Sequence, residues 1–352
     1  MGNESQRHDG AAALGRSQAD PRDARAVSKG EPATYAALDL GTNNCRLLIA
    51  SPTGDGFRVV DSFSRIIRLG EGISGTGRMS EAAIERALSA LQVCRDKIRA
   101  KRVKRLRLIA TEACRSAANG KEFCDRVSAE LNIQLEVIDR ETEAKLAVTG
   151  CLPLLDPQAS GAILFDIGGG SSEIVRLDRD PAHPDATPAI AGWVSLPLGV
   201  VTLAESHGGT DVTPEIYAAM VEEVSAHLRP FAERHAQDID GMHLLGTSGT
   251  VTTIAGIFLD LPRYDRRRVD GIWMSEHDVT ATVGRLRRMS YQERVANACI
   301  GTERGDLVLA GCAILEAIRT VFPCPRLRIA DRGLREGMLV QMMREDGVLR
   351  TS

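Results

Sequence analysis

The chain has 352 residues, enough for about two domains, and 43% of them are hydrophobic, which allows sizeable cores. The formal net charge of -3 excludes binding of polyanions through bulk charge, so such a role would need local basic patches. Seven scattered histidines argue against a zinc site, and no apolar run reaches the roughly 18 residues that span a membrane.

The predicted elements form two halves that follow an N-terminal tail. Residues 1–33 are polar and mixed in charge, which predicts a disordered tail. Residues 34–155 begin with three strands and continue with helices and two further strands, and a proline-containing stretch then marks a domain boundary. Residues 156–352 begin again with three strands. In each half a glycine-rich turn after an aspartate, Asp39 or Asp166, joins the first two strands, so the chain contains an internal repeat of this motif.

Three glycine-rich turns are the strongest functional signal. Residues 39–43 and 166–170 share the pattern D-[LI]-G-x-[NG], and residues 246–250 open a helix. Glycine lets the backbone approach a ligand and present successive N–H groups to an anion, which a helix N-terminus also favours. Carboxylates beside such turns can hold a divalent cation. A single turn of this kind more often only separates strands, but three of them indicate a phosphate-plus-metal site.

Taken in order, these motifs resemble the exopolyphosphatase/guanosine pentaphosphate phosphatase (Ppx/GppA) family of the actin-like superfamily. The segments that carry the resemblance are residues 37–43, 111–115, 137–138, 143–146, 165–173, 246–250 and 334–337. The resemblance implies an α/β fold of two actin-like (ASKHA, ribonuclease-H-like) domains with a cleft between them, domain I over residues 34–155 and domain II over residues 156–352. It also implies the short form of the family, because long members carry a C-terminal helical region that this chain lacks.

The resemblance further implies a general base and a phosphate-contacting arginine. In the family, the acid that precedes Ala in the E-A-x-L segment activates the attacking water, and that acid is Glu143 here. Without the resemblance, Glu143 would be interpreted as an exposed acid of an amphipathic helix. We expect the nearby Glu141 to help raise the pKa of Glu143. Arg115 matches the arginine, and its planar guanidinium suits bidentate phosphate contact, although a surface arginine at a helix start is the alternative.

Other residues are expected to bind the cation and the phosphates. The cation, Mg²⁺ or another hard divalent ion, is expected at Asp166 and Glu173, with Asp39 opposite them across the cleft. N–H groups for phosphate are expected at Gly41, Thr42, Asn43, Gly168, Gly169, Gly170, Ser171, Ser248 and Gly249. Phosphoryl transfer needs little beyond such positioning and charge neutralisation.

Several charged and aromatic residues leave functional and structural interpretations open. The dense basic run over residues 95–107 is either a solvated helix end or a funnel for a polyanionic chain. Arg332 adds a charge close to the expected cleft, where we hypothesise that it tunes substrate choice. Trp193 and Trp273 are expected to pack in cores, because only 4% of the residues are aromatic and no array for base stacking is present.

The sequence predicts a hydrolase that releases terminal phosphate from inorganic polyphosphate, for which only phosphates need be recognised. The same chemistry on guanosine pentaphosphate (pppGpp) is the alternative. An ATP-dependent kinase on the same fold is a third hypothesis, against which the Glu143 segment argues. No DNA or membrane partner is expected, and a homodimer is left open. Eight cysteines without a Cys-x-x-Cys pair, and no secretory signal, predict a cytoplasmic protein.

Overall fold

The computed structural model describes residues 33–183 and 186–349, so the predicted tail over residues 1–33 lies outside the described residues except for Ala33. The strands are β1 (Tyr35–Leu40), β2 (Asn44–Thr53), β3 (Gly56–Ile66), β4 (Arg105–Ala110), β5 (Glu136–Val137), β6 (Gly161–Ile167), β7 (Ser172–Asp178), β8 (Ala189–Leu196), β9 (His243–Thr247), β10 (Trp273–Ser275) and β11 (Arg326–Ala330). The helices are α1 (Ile73–Thr76), α2 (Glu81–Ala100), α3 (Glu112–Ser116), α4 (Gly120–Leu131), α5 (Arg140–Cys151), α6 (Val200–His207), α7 (Pro214–His235), α8 (Gly249–Phe258), α9 (Arg266–Val269), α10 (Glu276–Arg288), α11 (Tyr291–Ala296), α12 (Val308–Val321) and α13 (Leu334–Glu345).

The first sheet has the strand order β3-β2-β1-β4-β5. β1 pairs antiparallel with β2 and parallel with β4. Antiparallel neighbours can be joined by a short turn, whereas the parallel pair needs a crossover, which contains α2. Because Leu40 lies opposite Ala110, the first glycine turn and the start of α3 lie at the same edge of the sheet.

The second sheet has the order β10-β11-β9-β6-β7-β8. β6 pairs antiparallel with β7 and parallel with β9, and β11 is parallel to β9. The series β8-β7-β6-β9-β11 therefore repeats the order of the first sheet, and β10 is added at its edge. This repetition confirms the predicted fold class, an α/β fold of two actin-like, ribonuclease-H-like domains. Because Asp166 lies opposite Thr247, the second and third glycine turns also share one edge.

Helices α5 and α13 pack closely against each other and connect the two halves. α13 shares an apolar cluster with β1 and β2, whereas α5 contributes to a cluster with β6 and β7. At the contact, a Cβ on Gly150 would lie 1.9 Å from the carbonyl oxygen of Gly333, and one on Gly337 would lie 2.0 Å from that of Leu146. Only glycine permits this approach. The domain boundary between residues 155 and 156 stays a prediction, since α13 follows the second half but packs on the first sheet.

The structure differs from the predicted elements at several sheet edges. The three-residue strand β10 was not predicted, because it is too short to show alternation. The edge strands β8 and β5 are also partly exposed, and β5 is only two residues long. Trp193 is 37% exposed on the edge strand β8, so its predicted core position was wrong. Across the described ranges, no helix has both the length and the apolarity to cross a membrane.

Candidate active site

The first glycine turn is held by the loop that follows β3. The Gly41 N–H donates to the Asn44 carbonyl at 2.8 Å, which closes the turn. The Gly70 N–H donates to the Thr42 carbonyl at 2.9 Å, and the Asn43 carbonyl accepts two further N–H groups of the same loop. Thr42 and Asn43 are buried, and together with Gly41 they line a cleft between the two sheets.

The second glycine turn lies directly against the first. The Gly168 N–H donates to the Ser171 carbonyl at 2.9 Å, and the carbonyls of Gly168 and Gly169 accept the first N–H groups of α6. A Cβ on Gly169 would lie 3.1 Å from the Asn43 backbone nitrogen, and one on Gly170 would lie 2.8 Å from Thr42 Oγ1. The two turns can approach this closely because the second has no side chains at these positions. The sequence repeat therefore becomes a pair of facing turns.

The third glycine turn forms the N-terminus of α8. Ser248 is its N-cap, and its Oγ accepts the N–H groups of Thr250 and Val251 at 3.1 and 3.4 Å. The φ angle of Ser248 is 135°, a strained value for a residue with a Cβ, and such strain is concentrated at functional sites. Ser248 and Gly249 line the cleft from the second half.

Glu143 lies in the first turn of α5 and lines the cleft. Asp139 caps this helix by accepting the Thr142 N–H at 2.7 Å. Burial raises the pKa of Glu143 well above its usual range, and the negative charge of Glu173 adds to this effect. Glu141, which we expected to supply that charge, is instead paired with Lys145 on the exposed face of the helix. The expectation was wrong about the source, because Glu173 comes close only through the meeting of the two halves.

Arg115 lies behind Glu143 rather than in the lining of the cleft. Its Nη1 donates to the Ile138 carbonyl at 2.6 Å, and its Nη2 donates to Glu112 at 2.6 Å. Nη2 also reaches Glu143 Oε2 at 3.2 Å. The positive charge opposes the effect of burial on the pKa of Glu143. Its contact with phosphate stays a prediction.

The predicted cation ligands Asp39, Asp166 and Glu173 all line the cleft. Burial, followed by the charge of Asp166, raises the pKa of Glu173 to about 7, although Ser171 and Ser195 each donate to its Oε1 at 2.8 Å. Burial also raises the pKa of Asp166 to about 6. These buried carboxylates repel each other and would be stabilised by a cation.

The carboxylate oxygens of these residues fit a hard divalent cation whose coordination shell is completed by other oxygen atoms. Nowhere in residues 33–183 and 186–349 do three or more His, Cys, Asp or Glu side chains form a ready-made metal site. The Oδ1 atoms of Asn43 and Asn44, however, are buried without a hydrogen-bond partner beside the carboxylates. Amide and carboxylate oxygens are the donors that Mg²⁺ and Ca²⁺ prefer, and Mg²⁺ usually retains water or phosphate oxygens.

A second cavity of about 430 Å³, here called the arginine chamber, adjoins the cleft and shares Asp39, Arg46 and Arg304 with it. Arg335 also lines the chamber. These three arginines form no salt bridge with any carboxylate in the described part of the chain, whereas the other two lining arginines are paired. The paired ones are Arg266, with Glu336 and Asp331, and Arg332, with Asp270.

The basic run over residues 95–107 lies away from the active site, whereas Arg332 lies beside it. The side chains of the basic run over residues 95–107 line neither the cleft nor the arginine chamber. Several of them are neutralised by acids, in the pairs Lys97–Asp61, Arg105–Asp346 and Arg107–Glu136. These pairs favour the solvated helix end, and the interpretation of this run as a funnel stays a prediction. Arg332 lines the chamber, but Asp270 offsets its charge, and its influence on substrate choice stays a prediction.

The structure brings most of the predicted site together. All of the predicted residues line the cleft except Arg115 and Gly170. The sequence interpretation missed Arg46, Arg304 and Arg335. Arg46 could have been noticed, because the turn at residues 41–43 brings it opposite Asp39 on the neighbouring strand. Arg304 lies in a loop of the second half and carried no comparable signal.

Two domains that share one strand order, with a carboxylate-lined cleft between them, define the actin-like α/β class of fold. Residues 48–346 match the Ppx/GppA phosphatase family, to which the chain belongs. It is 28% identical over 327 residues to Exopolyphosphatase 2 of Mycobacterium tuberculosis, covering 87% of this chain and 98% of that protein. It is 27% identical over 310 residues to the guanosine-5'-triphosphate,3'-diphosphate pyrophosphatase of Aeromonas salmonicida, covering 88% of this chain but only 59% of that protein.

Solved structures of similar proteins agree with this assignment. A Ppx/GppA family member of Aquifex aeolicus matches with a TM-score of 0.73 and 27% identity, covering 90% of this chain and 99% of that chain. An exopolyphosphatase-like protein matches with a TM-score of 0.80 and 29% identity, covering 89% of this chain and 99% of that chain. Both comparisons extend over nearly the whole described region.

Proposed function

We propose that the protein is an exopolyphosphatase that hydrolyses the terminal phosphate of inorganic polyphosphate. The observation that carries the proposal is that the cleft is continuous with the arginine chamber. The cleft contains Glu143 and the facing glycine turns. One compartment offers a base and N–H groups for the reacting phosphate. The other offers Arg46, Arg304 and Arg335, whose charges suit the phosphates that follow it in a chain.

In the proposed mechanism, Glu143 accepts a proton from the attacking water. Its raised pKa brings it closer to the range in which a carboxylate is an effective base near neutral pH. The N–H groups of Gly41 and Gly168 close their own turns, so the predicted phosphate contact of these two N–H groups is corrected. Other N–H groups of the glycine turns bind the non-bridging oxygens of the terminal phosphate, and the arginines stabilise the leaving phosphate chain. A divalent cation held by Asp39, Asp166 and Glu173 would neutralise charge on the phosphate oxygens.

A phosphohydrolase acting on pppGpp is the second candidate. It is supported by the relatives that are named guanosine-5'-triphosphate,3'-diphosphate pyrophosphatase. The arginine chamber favours polyphosphate, because Phe63 and Tyr264 are its only aromatic residues among those described. The hydroxyl of Tyr264 is tied to Asp331 at 2.5 Å, which restricts its ring as a stacking surface for guanine.

Phosphate release from polyphosphate, pppGpp and ATP, measured side by side with Mg²⁺, tests this proposal. We expect the highest kcat/KM on polyphosphate, and a higher value on pppGpp would replace it by the second candidate. Transfer of phosphate from ATP to a sugar or an acid would overturn the proposal that the protein is a hydrolase. Glu143→Gln should lower kcat about 10²–10⁴-fold with the fold intact, and turnover within a few-fold of wild type would exclude Glu143 as the base.

We also propose that the enzyme acts in the cytoplasm. All eight cysteines are free thiols, and seven of them are buried. The Sγ atoms of Cys45 and Cys94 lie within hydrogen-bond distance, at 3.9 Å, and form no disulfide. Such thiols are typical of proteins in a reducing compartment.

A further inference from the structure

Glu112 is an acidic residue beside the active site that has no role in the mechanism above. It is the first residue of α3, directly after the edge of the first sheet, and it is only 8% exposed. A buried carboxylate is retained when it is paired. Here the partners are Arg115 and Arg140, so two guanidinium groups meet at one carboxylate.

The distances show which carboxylate holds Arg115. Glu112 Oε2 accepts from Arg115 Nη2 at 2.6 Å and from its Nε at 3.1 Å. The Ile138 carbonyl accepts from Nη1 at 2.6 Å. By contrast, Nη1 and Nη2 reach Glu143 Oε2 only at 3.3 and 3.2 Å. Charge-assisted N–H···O bonds are usually about 2.7–2.9 Å long, so the strong bonds of Arg115 go to Glu112 and to the backbone.

Glu112 and Glu143 therefore compete for the same guanidinium. We propose that Glu112 is a positioning residue that keeps Arg115 from pairing closely with Glu143, and so leaves Glu143 free to take a proton. The proposal rests on the proposed role of Glu143 as the base. Glu112 also lies against the second glycine turn, since a Cβ on Gly170 would lie 3.2 Å from its Cγ. It thus contacts both the arginine beside the base and the turn that is expected to bind phosphate.

The charges around Glu143 give the direction of the expected effect. Arg115 is the cation that acts on it, and the acids that act on it are Glu173, Asp39 and Asp166. Burial and these acids raise the pKa of Glu143, whereas Arg115 lowers it. If the charge of Glu112 is removed, Arg115 can approach Glu143. Glu143 then becomes a weaker base that ionises at lower pH.

The test is the pH dependence of kcat for Glu112→Gln at saturating polyphosphate and Mg²⁺. We expect kcat at neutral pH to fall about tenfold. The acidic limb of the pH profile of kcat should move to lower pH by about 0.5–1 unit, because a closer ion pair stabilises the ionised base. KM should change less than about threefold, because ground-state binding of the substrate is preserved. The matched control is Glu141→Gln, which removes the same charge from the exposed face of α5 and should keep the wild-type profile.

The outcomes separate this proposal from the proposed function. If Glu143→Gln loses turnover while Glu112→Gln keeps the wild-type kcat and pH profile, the positioning role is overturned and the base stands. If Glu143→Gln keeps turnover, the base and the positioning role are both overturned. Should Glu112→Gln fail to fold, Glu112→Asp decides the question, since it retains the charge but shortens the reach. A shifted acidic limb then supports the proposal, and an unchanged one contradicts it.

Discussion

At Glu143, two opposing influences act on one carboxylate. The N-terminal turn of a helix and the nearby Arg115 favour the ionised form. Burial and the charge of Glu173 favour the neutral form, and burial is the largest influence, so the pKa rises. This balance depends on contacts between the halves and cannot be obtained from the spacing of residues in α5.

The raised pKa values of two predicted cation ligands give a testable pH dependence. Those of Asp166 and Glu173 are raised from ordinary values of 3.8 and 4.5 to about 6 and about 7. The folded protein therefore holds more protons than the unfolded chain in this range. The stability that these groups contribute is fully present below about pH 4 and is lost as the pH rises through about 7.

A bound cation should reverse this trend, since it requires the ionised carboxylates. We expect Mg²⁺ to raise the melting temperature more at about pH 8 than at about pH 5.5, as measured by calorimetry with and without the ion. Glu173→Gln should reduce the difference between the two pH values. If Mg²⁺ raises the melting temperature equally at both pH values, its binding does not require Asp166 and Glu173 to lose protons, and the prediction is contradicted.

Residues that belong to short motifs could be predicted from the sequence, and those brought together by the fold could not. Glu143 and the glycine turns belong to local patterns, and the structure brings them to one cleft. Arg46 and Arg304 are far apart in the chain, and only the three-dimensional structure shows that neither forms a salt bridge with an acid among the described residues. The basic run over residues 95–107 is the converse case, since the acid that pairs with Arg105 lies 241 positions away.

At the scale of elements, the contact between α5 and α13 depends on glycine. A Cβ at Gly150 or Gly337 would lie about 2 Å from a backbone carbonyl oxygen, and neither backbone can move without shifting a helix. We expect Gly150→Ala and Gly337→Ala each to lower the free energy of unfolding by at least about 1–3 kcal/mol, as found for overpacked sites. Urea denaturation followed by circular dichroism measures this loss.

Gly284, in the middle of α10, is the matched control for this prediction. A Cβ there would meet only the flexible end of Arg288, at 3.5 Å. Because alanine favours a helix by about 1 kcal/mol over glycine, Gly284→Ala should be neutral or stabilising. If the alanine variants at residues 150 and 337 behave like this control, the close helix contact does not limit stability.

The central strands were easier to predict than the edge strands. The central strands β1 and β6 are largely buried apolar runs, each with an aspartate just before the glycine turn that follows it. The edge strands β5, β8 and β10 are short or partly exposed, so they lack the pattern that a buried strand requires. Trp193 illustrates the consequence, since an aromatic residue on an edge strand has the sequence signature of a core residue.

At the scale of the whole molecule, the cleft is bridged by contacts between loops of the two halves. Arg68, after β3, donates two hydrogen bonds of 2.9 Å to the carboxylate of Asp306, before α12. Arg68 has a left-handed φ of 46°, a backbone conformation that is uncommon for a residue other than glycine. Close by, Glu205 accepts from the Gly72 N–H at 2.8 Å and from Ser74 Oγ at 2.6 Å. Closure of such clefts commonly limits substrate binding and product release.

Loss of the Arg68–Asp306 pair should therefore favour a more open cleft. For Arg68→Gln we expect a larger radius of gyration in small-angle X-ray scattering and a KM for polyphosphate raised several-fold. The Arg68–Asp306 pair joins the two halves, whereas the pair Arg78–Glu122 lies within the first half, so Arg78→Gln is the matched control and should change neither quantity. The radius should return towards the wild-type value when substrate is bound, because the phosphate chain contacts both halves and replaces the lost ion pair. An unchanged radius and KM in Arg68→Gln would mean that packing of α5 and α13, rather than these loop contacts, holds the cleft closed.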